Sequence, residues 1–292
     1  MAVLSGSVDG IACFDRGLLL ITRTPRALSL LWLCTLPVRL VTMVLVLEVL
    51  SLRADARMAA GTLERLALAA TLLWPLSIWG RSMFVRACRL TMAGSPPTWR
   101  VLVAVPWAHV ASQLHAALVL ELVFWATLPL VLVAPFVPAL TAVAAATAPS
   151  AGVGWWKPLR ALTLPAGYPA LALASAAGLF GVLLVTANLY VVVMGLLWGC
   201  SAIGIPVATW TPLLSLRHPL FAGLLLVGGT VAMEPVFLAI VVAIVDQAHA
   251  RSSGEDLRQW FAQLRTRSEP TAAAAALASH SAAPQTAPAG LP

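Results

Sequence analysis

Residues 220–245 read LFAGLLLVGGTVAMEPVFLAIVVAIV. Glu234 is the one charged residue in this run, and Pro235 follows it directly. About 20 apolar residues at 1.5 Å each cross the roughly 30 Å of a bilayer's hydrocarbon, so this stretch predicts a transmembrane helix. The rest of the chain repeats the pattern. Apolar runs at about 27–50, 63–84, 107–133, 138–156 and 170–197 are separated by short connectors.

The whole composition agrees. Of 292 residues, 60% are hydrophobic and 10% are charged, against roughly 25% charged in an ordinary soluble domain. Mean hydropathy is +0.92. Such a chain has too little polar surface to cover a soluble core. A cytosolic globular enzyme, a disordered protein and a secreted disulfide scaffold are therefore excluded. The expected fold is all-α, a polytopic transmembrane helix bundle of about six spans with short amphipathic interfacial helices; seven spans is the alternative.

Connectors and termini complete the organisation. Residues 7–22 space Val8, Ile11, Phe14 and Leu18 at near-helical intervals around Asp9, Asp15 and Arg16, which predicts an amphipathic helix on the membrane surface. Segment 1–26 is thus read as a cytoplasmic N-terminal segment, with no cleavable leader because two aspartates precede the first apolar run. Thr24-Pro25 offers an N-cap and a first-turn proline for span one. Arg81, near the end of span two, is expected to snorkel toward the head groups. Pro135 and Pro138 mark the turn between spans three and four, and Trp155-Trp156-Lys157 forms an interfacial anchor. The stretch 168–216 fits two spans by length. Gly199, Gly204, Pro206 and Pro212 also allow one span followed by a re-entrant or interfacial piece. The bundle is assigned to 27–250. Leu257, Trp260, Phe261 and Leu264 mark a juxtamembrane amphipathic helix over 251–267. Residues 268–292, rich in Ala, Pro and Ser, are expected to be a disordered tail.

Charge placement decides orientation. The net charge is +7, and the basic residues sit in connectors, so they signal topology and not nucleic-acid binding. With six spans, one side carries Arg16, Arg23, Arg26, Arg81, Arg86, Arg89, Arg100, Lys157, Arg160, Arg251, Arg258, Arg265 and Arg267. The other carries Arg53, Arg57, Arg65 and Arg217. Seven spans would move the tail outside and blunt this asymmetry. The positive-inside rule thus favours six spans with both termini cytoplasmic in a bacterial inner membrane. The near-exclusive use of Arg over Lys points to a bacterial source.

Motifs for chemistry are missing from the sequence. It contains no Walker A loop, no HExxH and no GxGxxG. Gly199-Cys200-Ser201 superficially resembles an intramembrane serine nucleophile but has no obvious histidine partner. His109 and His115 are six apart, on different helix faces, with no carboxylate at ligand spacing. Cys13, Cys34, Cys88 and Cys200 lack CxxC spacing and read as small buried side chains. No catalytic, cofactor-binding or metal residues are therefore assigned, and the chain is read as a non-enzyme.

The candidate site is instead a set of charges inside spans. Arg39 is roughly 18 Å past Ala27, Glu121 roughly 21 Å past Trp107, and Glu234 roughly 16 Å before Val245, at 1.5 Å per residue. All three fall near the midplane, where a lone charge costs about 2.5–3.5 kcal/mol. One reading is a buried ion pair, Arg39 with Glu121 or Glu234, locking helix packing. The other is a polar path for a proton, an ion or a lipid head group.

Four stretches also carry a family resemblance. They are Asp15-Arg16 with Thr24-Pro25-Arg26, Pro138 through Pro149, Pro158-Leu159-Arg160-Ala161-Leu162-Thr163-Leu164, and the group Asp246, Arg251, Gly254, Asp256 and Leu257. Together they resemble a family of bacterial six-helix membrane proteins, similar to the membrane region that precedes the catalytic domain in some glycerophosphoryl diester phosphodiesterases. That region also occurs as stand-alone proteins. Val245 replaces an aromatic in the exit motif, and its spacing is one residue longer. No phosphodiesterase domain is present, so the resemblance implies a six-span fold and not that activity. The functions expected from all of this are a membrane scaffold or envelope accessory protein, binding lipids or membrane-protein partners, or alternatively a transporter component with a polar midplane path.

The charge asymmetry makes a direct prediction. A reporter fused at residue 265 should fluoresce as green fluorescent protein and be inactive as alkaline phosphatase. The reverse pattern would remove the six-span topology.

Overall fold

The computed structural model describes residues 9–51, 60–95, 97–104, 110–111, 114–115, 117–119 and 168–253. The expected spans at 107–133 and 138–156, the amphipathic pattern after 253 and the tail lie wholly or mostly outside them. The chain divides into two units at Asp246/Gln247. All that follows concerns the first. Among the described residues every regular element is a helix, and four helices are long and apolar enough to cross a membrane.

The first helix, α1 (Gly10–Arg23), begins at Asp9, whose carboxylate accepts the backbone N–H groups of Ile11 and Ala12 at 3.0 and 3.2 Å. That satisfies two of the donors a helix start leaves orphaned. Its apolar residues divide between two surroundings. Cys13, Gly17 and Leu20 are buried against other helices, while Ile11, Leu18 and Leu19 are exposed. A single residue, Thr24, separates it from α2 (Pro25–Ser51). Pro25 occupies the first helical position as expected, but the Thr24 side chain does not cap α2. Its hydroxyl donates back to the Leu20 carbonyl at 2.8 Å. With Thr24 almost wholly buried, satisfying that carbonyl at the α1–α2 corner is the better use of the hydroxyl.

Helix α3 (Ala60–Met92) packs along α2, and the two backbones approach closely where Gly80 meets Cys34. It ends at Gly94, whose φ of 75° lets its N–H reach Thr91 and the next N–H reach Leu90, a Schellman close. A short helix, α4 (Trp99–Val103), follows Pro97-Thr98, and its end is held by an Arg86 hydrogen bond to the Ala104 carbonyl.

The ambiguous stretch 168–216 holds one membrane-length helix, α5 (Tyr168–Ala202). Gly199, read from sequence as a breaker, lies inside it. The helix stops at Gly204 (φ 84°), again in a Schellman arrangement. Residues 203–218 are turns and bends, and α6 (Pro219–Ser253) starts on a proline.

Glycines set the close approaches to α6. Gly17 of α1 sits against Ile240, Gly178 and Gly181 of α5 against Phe237 and Met233, and Gly223 and Gly229 of α6 against Met43 and Thr186. These pairs run antiparallel for α2 with α6 and for α5 with α6. The starts of α2 and α5 and the end of α6 therefore gather beside α1.

The Gly80 contact yields a stability prediction. A Cβ there would fall 2.6 Å from the Cys34 Cβ, whereas at Gly195 it would meet nothing within 4 Å. Gly80→Val should cost about 1–3 kcal/mol, seen as a lower melting temperature in detergent. Gly195→Ala should leave that temperature nearly unchanged.

Candidate functional site

Three membrane-length helices bring their charges to one point. Arg39 of α2 donates from Nε and Nη2 to Glu234 Oε2 at 3.2 and 2.9 Å. Arg81 of α3 donates from Nε to Glu234 Oε1 at 2.6 Å. Both carboxylate oxygens are thus engaged, each by a different helix. The Glu234 side chain is 7% exposed, and those of Arg39 and Arg81 are 32% and 28% exposed.

Helix geometry explains how they meet. Side chains in a helix lean toward its N-terminus. Glu234 on α6 therefore leans toward the 203–218 connector. Arg39, on the antiparallel α2, leans the opposite way and closes the gap. Pro235 adds a second tie at the same level. A proline has no N–H, so the carbonyl four residues earlier, that of Val231, loses its helical partner. Trp32 Nε1–H of α2 donates to that carbonyl at 3.0 Å. One Glu-Pro pair thus generates both an ion triad and an indole bond to α2.

Sequence reasoning named Arg39, Glu121 and Glu234. The structure brings Arg39 and Glu234 together. Glu121 lies outside the described residues. Arg81 was missed as a member: the snorkelling expected of it gives way to a bond inside the bundle. Depth along its own helix pointed it outward. Only the register with α2, set by Gly80 against Cys34, shows that it reaches α6.

The depth of the triad also shifts. Irregular backbone does not sit in hydrocarbon facing lipid, so the exposed connector 203–218 places the start of α6 at or beyond a membrane boundary. Glu234 is then about 22 Å across from Pro219, and Arg81 about 31 Å from Ala60, at 1.5 Å per residue. With a core of roughly 30 Å, the cluster occupies the half nearer α1, not the midplane.

Away from the triad, Arg16 and Asp246 pair loosely at 3.5 Å, both about half-exposed. Cys13, Cys34 and Cys88 are buried. Among the described residues no group of His, Cys, Asp and Glu has the composition to hold a metal. Compared with protein-family models, curated proteins and solved structures, the chain matches none.

Charge arithmetic ranks the single variants. Glu234→Gln leaves two buried arginines without a counter-ion and should cost about 3–5 kcal/mol. Arg39→Leu or Arg81→Leu leaves a neutral Arg–Glu pair and should cost less. Melting temperatures of the three purified proteins in one detergent check this order, with Glu234→Gln lowest.

Proposed function

We propose that this chain is an integral protein of a bacterial inner membrane, with six spans and both termini cytoplasmic, acting without catalysis as a scaffold or envelope accessory protein. Its partners would be lipids and other membrane proteins. Its likeness to the membrane region of the phosphodiesterase family belongs to the same proposal. The observation that carries this reading is the engagement of Glu234. The carboxylate is buried and both oxygens are held by arginines from two other helices. A residue on a conduction path must exchange partners as cargo passes. A carboxylate closed by two guanidinium groups, beside an indole that holds the next turn, is instead suited to fixing helix positions. On this reading α1 lies at the cytoplasmic face, and the expected third and fourth spans complete the bundle.

The transporter reading keeps one observation in its favour. The triad carries a net positive charge, and its arginines are partly exposed. The two readings separate in vesicles. Purified protein reconstituted at known orientation should show proton and ion leak equal to that of protein-free vesicles. A flux above that background that disappears in Glu234→Gln would replace the scaffold reading with the transporter one.

A further inference from the structure

The triad leaves donors over. Each guanidinium carries five N–H groups, and Glu234 takes two from Arg39 and one from Arg81. Among the described residues no other acceptor bonds either group. Two cations against one anion also leave one positive charge uncompensated in a low-dielectric setting, which is costly. Yet each arginine side chain keeps about 30% of its surface accessible, so the unused faces can be reached.

We infer that the outward faces of Arg39 and Arg81 form a binding site for a phosphate oxyanion carrying one negative charge. A phosphodiester brings the single charge that neutralises the cluster. Its tetrahedral oxygens match guanidinium forks arriving from two helices, the geometry that favours arginine over lysine in phosphate recognition. Depth points to the source. Arg81 lies about 31 Å from the connector end of its helix, at the far edge of a roughly 30 Å core, where lipid phosphates begin. The ligand is therefore the head-group phosphodiester of a lipid in the leaflet on the α1 side, and free phosphate is the competing source. Lipid binding here rests on the scaffold reading of the same triad and gives it a defined ligand class.

Full-length protein in mild detergent tests this by native mass spectrometry and titration. The probes are phosphatidylglycerol, diacylglycerol with the same chains, and inorganic phosphate. Phosphatidylglycerol should bind more tightly than diacylglycerol by on the order of tenfold or more, the worth of a charged hydrogen bond. Arg81→Gln should abolish that preference. Arg81→Lys keeps the charge, loses the fork and should weaken it, so it decides the question if the Gln variant does not fold. Inorganic phosphate should compete for the same site. Phosphate binding with no preference for phosphatidylglycerol over diacylglycerol would assign the site to free phosphate. Equal retention of both lipids with no phosphate binding, or wild-type affinity in Arg81→Lys, would overturn the proposal. Failure here leaves vesicle leak untouched, whereas flux in the vesicle assay would overturn the scaffold reading without altering lipid affinity.

Discussion

A carboxylate placed inside a membrane bundle must be neutralised, and Glu234 is neutralised twice. That constraint sets the positions of α2 and α3 around α6. An ionised side chain in hydrocarbon is expensive, and an ion pair broken on one side is costlier than one never made. The helices that supply Arg39 and Arg81 are therefore tied to α6 at one level. The glycine contacts that bring α2 onto α3 and onto α6 are the steric condition for the bonds to close.

Pro235 has two consequences at that level. It removes a helical hydrogen bond from α6, and the Trp32 indole takes the freed carbonyl. A defect in one helix becomes a cross-link to another, the way transmembrane helices tolerate proline. With Glu234 next to it, polar ties fall at one level of an otherwise apolar interface. Above and below, packing is carried by Met43, Met233, Phe237 and Ile240 against glycines. Such apolar contacts between helices give little register specificity in lipid, where tails are as apolar as leucine. The charged ties supply that specificity.

The four described membrane-length helices were legible because their hydropathy is nearly unbroken and their ends carry Pro, Gly or Arg. Pro25, Gly94, Gly204 and Pro219 all mark real boundaries. Gly199 did not, because a glycine inside a membrane helix costs little when no water competes for its backbone. Arg39 and Glu234 stood out because charge is rare at that position in a span. Arg81 did not, because an arginine near a span's end is usually free to reach water. Its role depends on the crossing of α3 with α2, which is tertiary information. Thr24 was read as a cap because its identity fits one. The corner between α1 and α2 diverts its hydroxyl to a carbonyl that only the folded corner exposes.

Its most direct test is a double-mutant cycle between Arg81 and Glu234, read by reversible unfolding in a bilayer mimic. The cycle isolates the interaction from the cost of each substitution. The account predicts that Arg81→Leu combined with Glu234→Gln loses less stability than the two singles together, by about 1–3 kcal/mol. Losses that add within roughly 0.5 kcal/mol would show that the two side chains do not hold the bundle together.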